Sequence, residues 1–126
     1  MNKLQRNIKV LVVEPYKLPY EKIIRNNLQS KQAEVGGNIE YVYMKDTEDA
    51  CLICNEEGKL YGMPLNRDIG YDIIAGTFLV VADNPDIGED RSLTDEQIEK
   101  YKNRFGIESI RETELAVSKI QQAYEI

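Results

Sequence analysis

The stretch ICNEEGKLYGMPLNRDIGYDIIAGTFLVV, Ile53 to Val81, decides the fold. Its first residues finish an apolar strand over residues 50–54. Asn55-Glu56-Glu57-Gly58 reads as a hairpin turn, with Gly58 supplying the positive φ that such turns need. Residues 59–62 then read as the returning strand, which Pro64 ends. Residues 65–72 read as a loop or a single helical turn. Residues 73–82 are an apolar strand interrupted at Gly76, where a bulge or a close backbone approach is expected.

Working outward, Ile8, Val10 and Val12 alternate with Lys9 before the run becomes apolar through Val13. That pattern predicts a strand buried on both faces. Pro15 and Pro19 force an extended connection after it. From Tyr20, the spacing of Ile24, Leu28 and Val35 predicts a helix over residues 20–33, closed by Gly36-Gly37. Residues 39–44 alternate as a strand. Residues 83–91 read as a loop rich in Pro, Gly and acids. Thr94 with Gln97 three later makes a capping box, and Leu93 and Ile98 sit at staple positions. Ile98, Tyr101 and Phe105 are then the stripe of a helix over 94–105. A last helix is expected from about 108 to 124, with Ile110, Val117, Ile120 and Tyr124 on one face and Leu115 off it.

These elements predict an α+β fold in a single small domain. A mixed or antiparallel sheet of about five strands (9–13, 39–44, 50–54, 59–62 and 74–81) carries two packed helices and an extra C-terminal helix.

Composition narrows the chemistry. The 126 residues suit one domain; 42% are hydrophobic and 30% charged, as in ordinary globular chains. No apolar run reaches about 18 residues, so no membrane span is expected. MNKLQRNIKVLVVE lacks a signal-peptide pattern, which leads to the expectation of a cytoplasmic protein. The net charge of −6 is uneven: residues 1–33 carry +5, residues 34–91 carry −9 and residues 92–126 carry −2. A basic first third and an acidic middle can pair within the fold, pair between chains, or simply be dispersed surface charge. Nucleic-acid binding is disfavoured by the acidic total.

There is no histidine, which removes Ser-His-Asp and Cys-His catalysis and His-ligated zinc. Cys51-x-x-Cys54 has a redox or zinc spacing, but in a strand residues three apart point to opposite faces. Both thiols are therefore expected in the core, reduced. Glu56-Glu57 is a carboxylate pair for a metal such as Mg²⁺, or a solvated hairpin tip. The acid-rich loop 83–90 misses the EF-hand pattern because Pro85 takes a ligand position. Pro64-Leu65-Asn66-Arg67 offers the best ligand-binding group. Arg67 can clamp an anion bidentately and Asn66 can read an amide or base edge. The structural alternative has Asn66 capping the turn and Arg67 paired with a nearby acid. Among eight tyrosines, Tyr61 and Tyr71 fall closest to that loop and offer stacking faces.

Five blocks, taken together, resemble the DUF3846-type family of uncharacterised small domains from gut bacteria, Firmicutes and their phages. They are IKVLVVEP (residues 8–15), VGGNIE (35–40), ICNEEGKLYGMPLNR (53–67), DIIAGTFLVV (72–81) and SLTDEQIEKY (92–101). Asn38 stands where the family usually has an aromatic residue. The resemblance implies a small cytosolic α+β domain, often encoded on mobile elements, and supplies no established active site. It divides the chain into a family-like domain, 1–106, and an amphipathic helical extension, 107–126. The extension's unused apolar stripe leads to the expectation that it self-associates or docks as an added layer, with a homodimer or higher homo-oligomer preferred. The leading functional expectation is a non-enzymatic binding protein with no cofactor. It would sequester a small nucleotide-like anion at Asn66, Arg67, Tyr61 and Tyr71, or inhibit a host defence protein. The alternatives are an acidic protein-interaction module using the −9 segment, and a metal-dependent hydrolase built on Glu56, Glu57 and Asp49.

Overall fold

The structure is a computed structural model that describes residues 6–84 and 88–124. Met1 to Gln5, Pro85, Asp86 and Ile87 of the acid-rich loop, and the last two residues of the extension lie outside the described residues. Eight strands and three helices are seen among the described residues. In chain order they are β1 (Asn7–Val13), β2 (Tyr20–Arg25), α1 (Leu28–Val35), β3 (Ile39–Val42), β4 (Ala50–Asn55), β5 (Leu65–Asp68), β6 (Ile73–Ala75), β7 (Phe78–Asn84), β8 (Glu89–Arg91), α2 (Asp95–Arg104) and α3 (Ile107–Tyr124).

The main sheet runs β2–β1–β7–β4–β3, every pair antiparallel, and β8 pairs with the far end of β7. Its centre is buried on both faces, so β1, β4 and β7 read as nearly unbroken apolar runs. Alternation still sorts them. Leu11, Val13, Ala50, Leu52, Cys54, Phe78, Val80 and Ala82 meet Ile98 and Tyr101 of α2 and its cap Phe105 on one face. Ile8, Val10, Val12, Cys51, Ile53, Leu79 and Val81 meet Ile24 and Val35 on the other. Phe78 and Phe105 stack edge to face at 5.3 Å. With Tyr101 they make α2 the stronger clasp, since each buried large side chain contributes about 1.5–3 kcal/mol and α1 buries only Lys31 and Val35. The Thr94–Gln97 capping box forms as expected, and Gly36 closes α1 at φ 80°.

Four local readings change. Residues 20–25 are not helical: β2 pairs along β1 from Asn7↔Arg25 to Val12↔Tyr20. The helix starts only after Asn27, whose side chain accepts from Ser30 N at 2.8 Å. Residues 59–62 do not form a strand paired with β4. The Asn55 side chain accepts from Glu57 N at 2.8 Å, and Tyr61 N→Glu57 O and Met63 N→Gly58 O bonds coil the segment into successive turns. Gly58 does not take the positive φ expected of it; glycine is required there because a Cβ would sit 2.7 Å from the Ala75 carbonyl. Finally, the loop expected over 83–91 contributes residues to both strands of the β7–β8 pairing, Asn84↔Glu89 to Ala82↔Arg91. Strand character also appears at Leu65–Asp68, where a loop was expected; β5 and β6 form a separate hairpin with an irregularity between Leu65 and Arg67. That hairpin lies over the α2 face through Ile69 and Ile74, and α3 packs on β5.

Candidate functional site

Asn66 and Arg67 point inward. Arg67 is fully buried. Its Nε and Nη2 donate to Phe105 O at 3.2 and 3.0 Å, and Nη2 also donates to Lys17 O at 2.6 Å. Nη1 donates to Asn66 Oδ1 at 2.8 Å and to Asn66 O at 3.2 Å. Asn66 Nδ2 donates to Val13 O at 2.8 Å and Gly76 O at 2.9 Å. No carboxylate pairs with Arg67 among the described residues. Its charge is met instead by carbonyl dipoles, including the negative end of α2. Burial lowers its pKa to about 10, still well above neutrality. The pair is thus a knot joining β5, the end of β1, the β6–β7 turn and the end of α2. Its donors are directed at protein carbonyls and at the Asn66 amide oxygen, and no donor reaches solvent to meet an anion.

Tyr61 and Tyr71 lie outside this knot and are exposed. Tyr71 donates through its hydroxyl to Tyr43 O at 2.8 Å, with Lys45 Nζ 4.4 Å above its ring. The four residues of the anion expectation are therefore split, two in the core and two at the surface.

What the sheet and the β5–β6 hairpin enclose instead is a cleft of about 360 Å³ between β3, the turn after β4, and β6. Val42, Cys54, Ile74 and Ala75 supply apolar walls; Glu40, Glu56, Glu57, Lys59, Leu60 and Asp72 stand around them. Lys59 pairs with Asp72, which leaves the rim net negative. Burial, then the fields of Glu40 and Asp72, push the Cys54 thiol up to about 12. Four of the thirteen acids of the −9 segment, Glu40, Glu56, Glu57 and Asp72, line this cleft.

Two further polar clusters hold the fold. Asp49, before β4, accepts from Thr47 at 2.6 Å, from Gln97 and from the Tyr101 hydroxyl, and Lys100 Nζ lies 3.3 Å away. Burial opposes its ionisation, but these donors outweigh burial and hold the carboxyl well below the usual carboxylate range. Asp49 and Glu56 flank opposite ends of β4, roughly 20 Å apart at the rise of a strand. The three acids of the hydrolase expectation are therefore not brought together, and no group of three or more His, Cys, Asp or Glu is placed to hold a metal among the described residues. Near the other face, Asp90 of β8 accepts from Lys31 Nζ at 2.5 Å and from Tyr41 OH at 2.7 Å, while Asn26 donates to its carbonyl. Lys31 and Asp90 are both buried. This cluster was not read from the sequence: Asn26, Lys31 and Tyr41 lie 49 to 64 residues before Asp90, and the only local signal was a lysine on the inner side of a short helix.

Cys51 and Cys54 are free, buried and on opposite faces, as their spacing requires. No helix is long and apolar enough to cross a membrane among the described residues.

The architecture is that of a small antiparallel α+β domain with a buried Asn-Arg knot and an acid-rimmed cleft. The chain belongs to the family described as a domain of unknown function, DUF3846, whose model matches residues 8–106. No curated protein and no solved structure matches it. The matched span contains both the knot and the cleft and stops one residue before α3.

Proposed function

We propose that this protein is a binding module that works by occupancy and takes a basic segment of a partner protein into the cleft between β3 and β6. The observation that carries this reading is the pairing of apolar walls with a rim of four carboxylates and one lysine. Such a site suits a side chain with an aliphatic stem and a cationic head, as Lys and Arg have. The exposed Leu60 that lines it, with the exposed Tyr61 next in the chain, adds apolar contact area of the kind partner surfaces use. The nucleotide-anion reading draws less support, since Arg67 lies in the core and the cleft repels anions.

The test is fluorescence anisotropy with two labelled ten-residue peptides of equal length, one rich in Arg and Val, the other in Glu and Val. The wild-type protein should bind the basic peptide, more weakly as salt rises, and ignore the acidic one. Glu56→Lys/Glu57→Lys should abolish binding while circular dichroism stays unchanged. Equal binding of both peptides, or binding that survives the charge reversal, removes the reading. A cyclic dinucleotide and ADP-ribose, run alongside, should give no signal; binding that Tyr61→Ala weakens would restore the anion reading.

A further inference from the structure

The cleft borders a strand edge that no other strand pairs with among the described residues. β3 is the last strand of the main sheet, with β4 on one side and no strand on the other among the described residues. Glu56 N donates to Asn38 O at 2.8 Å across the β3–β4 ladder. Hydrogen-bonding direction alternates along an antiparallel strand. The backbone groups of Glu40 and Val42 therefore face β4, and those of Ile39 and Tyr41 face outward. The side chains alternate in the same register. Glu40 and Val42 line the cleft, whereas Ile39 and Tyr41 belong to the α1 face.

Resting on the cleft reading above, we propose that the basic segment binds as an added strand on the outer edge of β3, with every second side chain entering the cleft. A guest residue opposite Ile39 or Tyr41 exchanges backbone hydrogen bonds with it and turns its side chain to the α1 face. A guest residue opposite Glu40 shares Glu40's face, because cross-strand neighbours lie on the same side of a sheet. A basic side chain at that position meets Glu40 and extends toward Glu56 and Glu57. Main-chain bonds supply affinity and the alternate side chain supplies selection, the division of labour seen in strand-addition recognition. Charge decides the occupant. A second copy pairing β3 to β3 brings two acidic rims together, and like charges across a strand pair are destabilising. A basic strand is attracted by the same rim.

The probe is the peptide acetyl-Val-Arg-Val-Arg-Val-amide, alone and N-methylated either on its valines or on its arginines. With the arginines in the cleft, the valine amides face Ile39 and Tyr41. N-methylation of the valines should weaken binding at least tenfold, and N-methylation of the arginines should change it less than threefold. Hydrogen exchange at the Ile39 and Tyr41 amides should slow when the parent peptide is added. Equal binding of all three peptides overturns strand addition and leaves the cleft reading standing. Absence of parent binding, or binding indifferent to Glu56→Lys/Glu57→Lys, overturns both. Protection of Ile39 and Tyr41 that grows with protein concentration, without peptide, gives the edge to a second copy and overturns the proposal.

Discussion

Arg67, in β5, grips the Phe105 carbonyl with two guanidinium nitrogens, and Phe105 is the residue that caps α2. The link ties the β5–β6 hairpin to the helix that covers the same face of the main sheet. Arg67→Ala leaves the buried carbonyl of Phe105 and the buried amide oxygen of Asn66 without their guanidinium donors, and the part-buried carbonyl of Lys17 loses its donor as well. Each buried unsatisfied group costs about 1–3 kcal/mol, so the substitution should lower stability by about 3–5 kcal/mol in urea unfolding. Arg67→Lys should recover little, because a point ammonium cannot span carbonyls on three segments. A loss under about 1 kcal/mol for Arg67→Ala would show that the knot is not what holds α2.

The Pro64–Arg67 block offers both a ligand reading and a structural one, and the sequence alone does not separate them. An arginine beside an asparagine looks the same whether its donors meet a ligand or distant carbonyls. Besides neighbouring Asn66, its acceptors are the carbonyls of Phe105, Lys17 and Glu14, 38 to 53 residues away. The central strands were legible because burial on both faces left an apolar run, and α2 was legible because its cap and stripe agree. β2 was misread because Ile24, Leu28 and Val35 have helical spacing although a strand, a cap and a helix separate them. Of these, Ile24 and Val35 are buried while Leu28 is exposed. The adjacent β-branched Ile23 and Ile24 and the Asn26-Asn27 pair were the better local signals. The cleft was half legible: its acids were visible as a −9 segment, but its walls come from β3, β4 and β6, which only the folded chain brings together.

Asp49 gives the protein an acid-sensitive clasp between the β3–β4 connection and α2. Its folded pKa lies below its unfolded value. Its contribution is therefore present above the unfolded pKa, about 3.9, and is lost as pH falls through the lower folded value. Urea midpoints measured from pH 7 to pH 2 should show Asp49→Asn less stable than wild type at neutrality. The two curves should converge below about pH 4. Parallel curves across that window would place the acid sensitivity elsewhere.

Both cysteines should be unreactive in the native protein. Burial pushes each thiol up to about 12, so the nucleophilic thiolate is scarce at pH 8. A thiol-specific reagent at pH 8 should label two sulfurs after unfolding and, without denaturant, only at the rate of opening. Fast labelling of Cys54 alone would show that the cleft opens as far as its wall.

The extension divides at its middle. Ile110 and Thr113 are buried, and Thr113 Oγ1 accepts from Asp68 N at 3.0 Å, whereas Ile120 and Tyr124 on the same helical face are exposed. Ile110→Ala should cost about 2–5 kcal/mol, the range for a buried isoleucine, and Ile120→Ala should stay within about 0.5 kcal/mol of wild type in dilute solution. Light scattering of wild type and Ile120→Asp reads the homo-oligomer expectation separately. A lower mass for the variant puts an interface on distal α3, and equal masses take it away from there.

Lys31 and Asp90 should be strongly coupled, unlike the surface pair Lys59 and Asp72. The side chains of the first pair are 9% and 6% exposed, those of the second 57% and 44%. Removing one member of a buried pair leaves a desolvated charge and typically costs about 3–5 kcal/mol. Lys31→Met should fall in that range, with Tyr41 OH left as a remaining side-chain donor to Asp90. Removing both charges with Lys31→Met/Asp90→Asn should cost less than the sum of the single changes, by about 1–3 kcal/mol. The same cycle at Lys59 and Asp72 should give a coupling of about 0–1 kcal/mol, as water already screens an exposed pair. Adding 0.5 M salt should shrink the surface coupling and spare the buried one. Couplings of equal size in the two cycles would mean that Lys31–Asp90 is hydrated in solution and that α1 is held to β8 by Asn26 and packing alone.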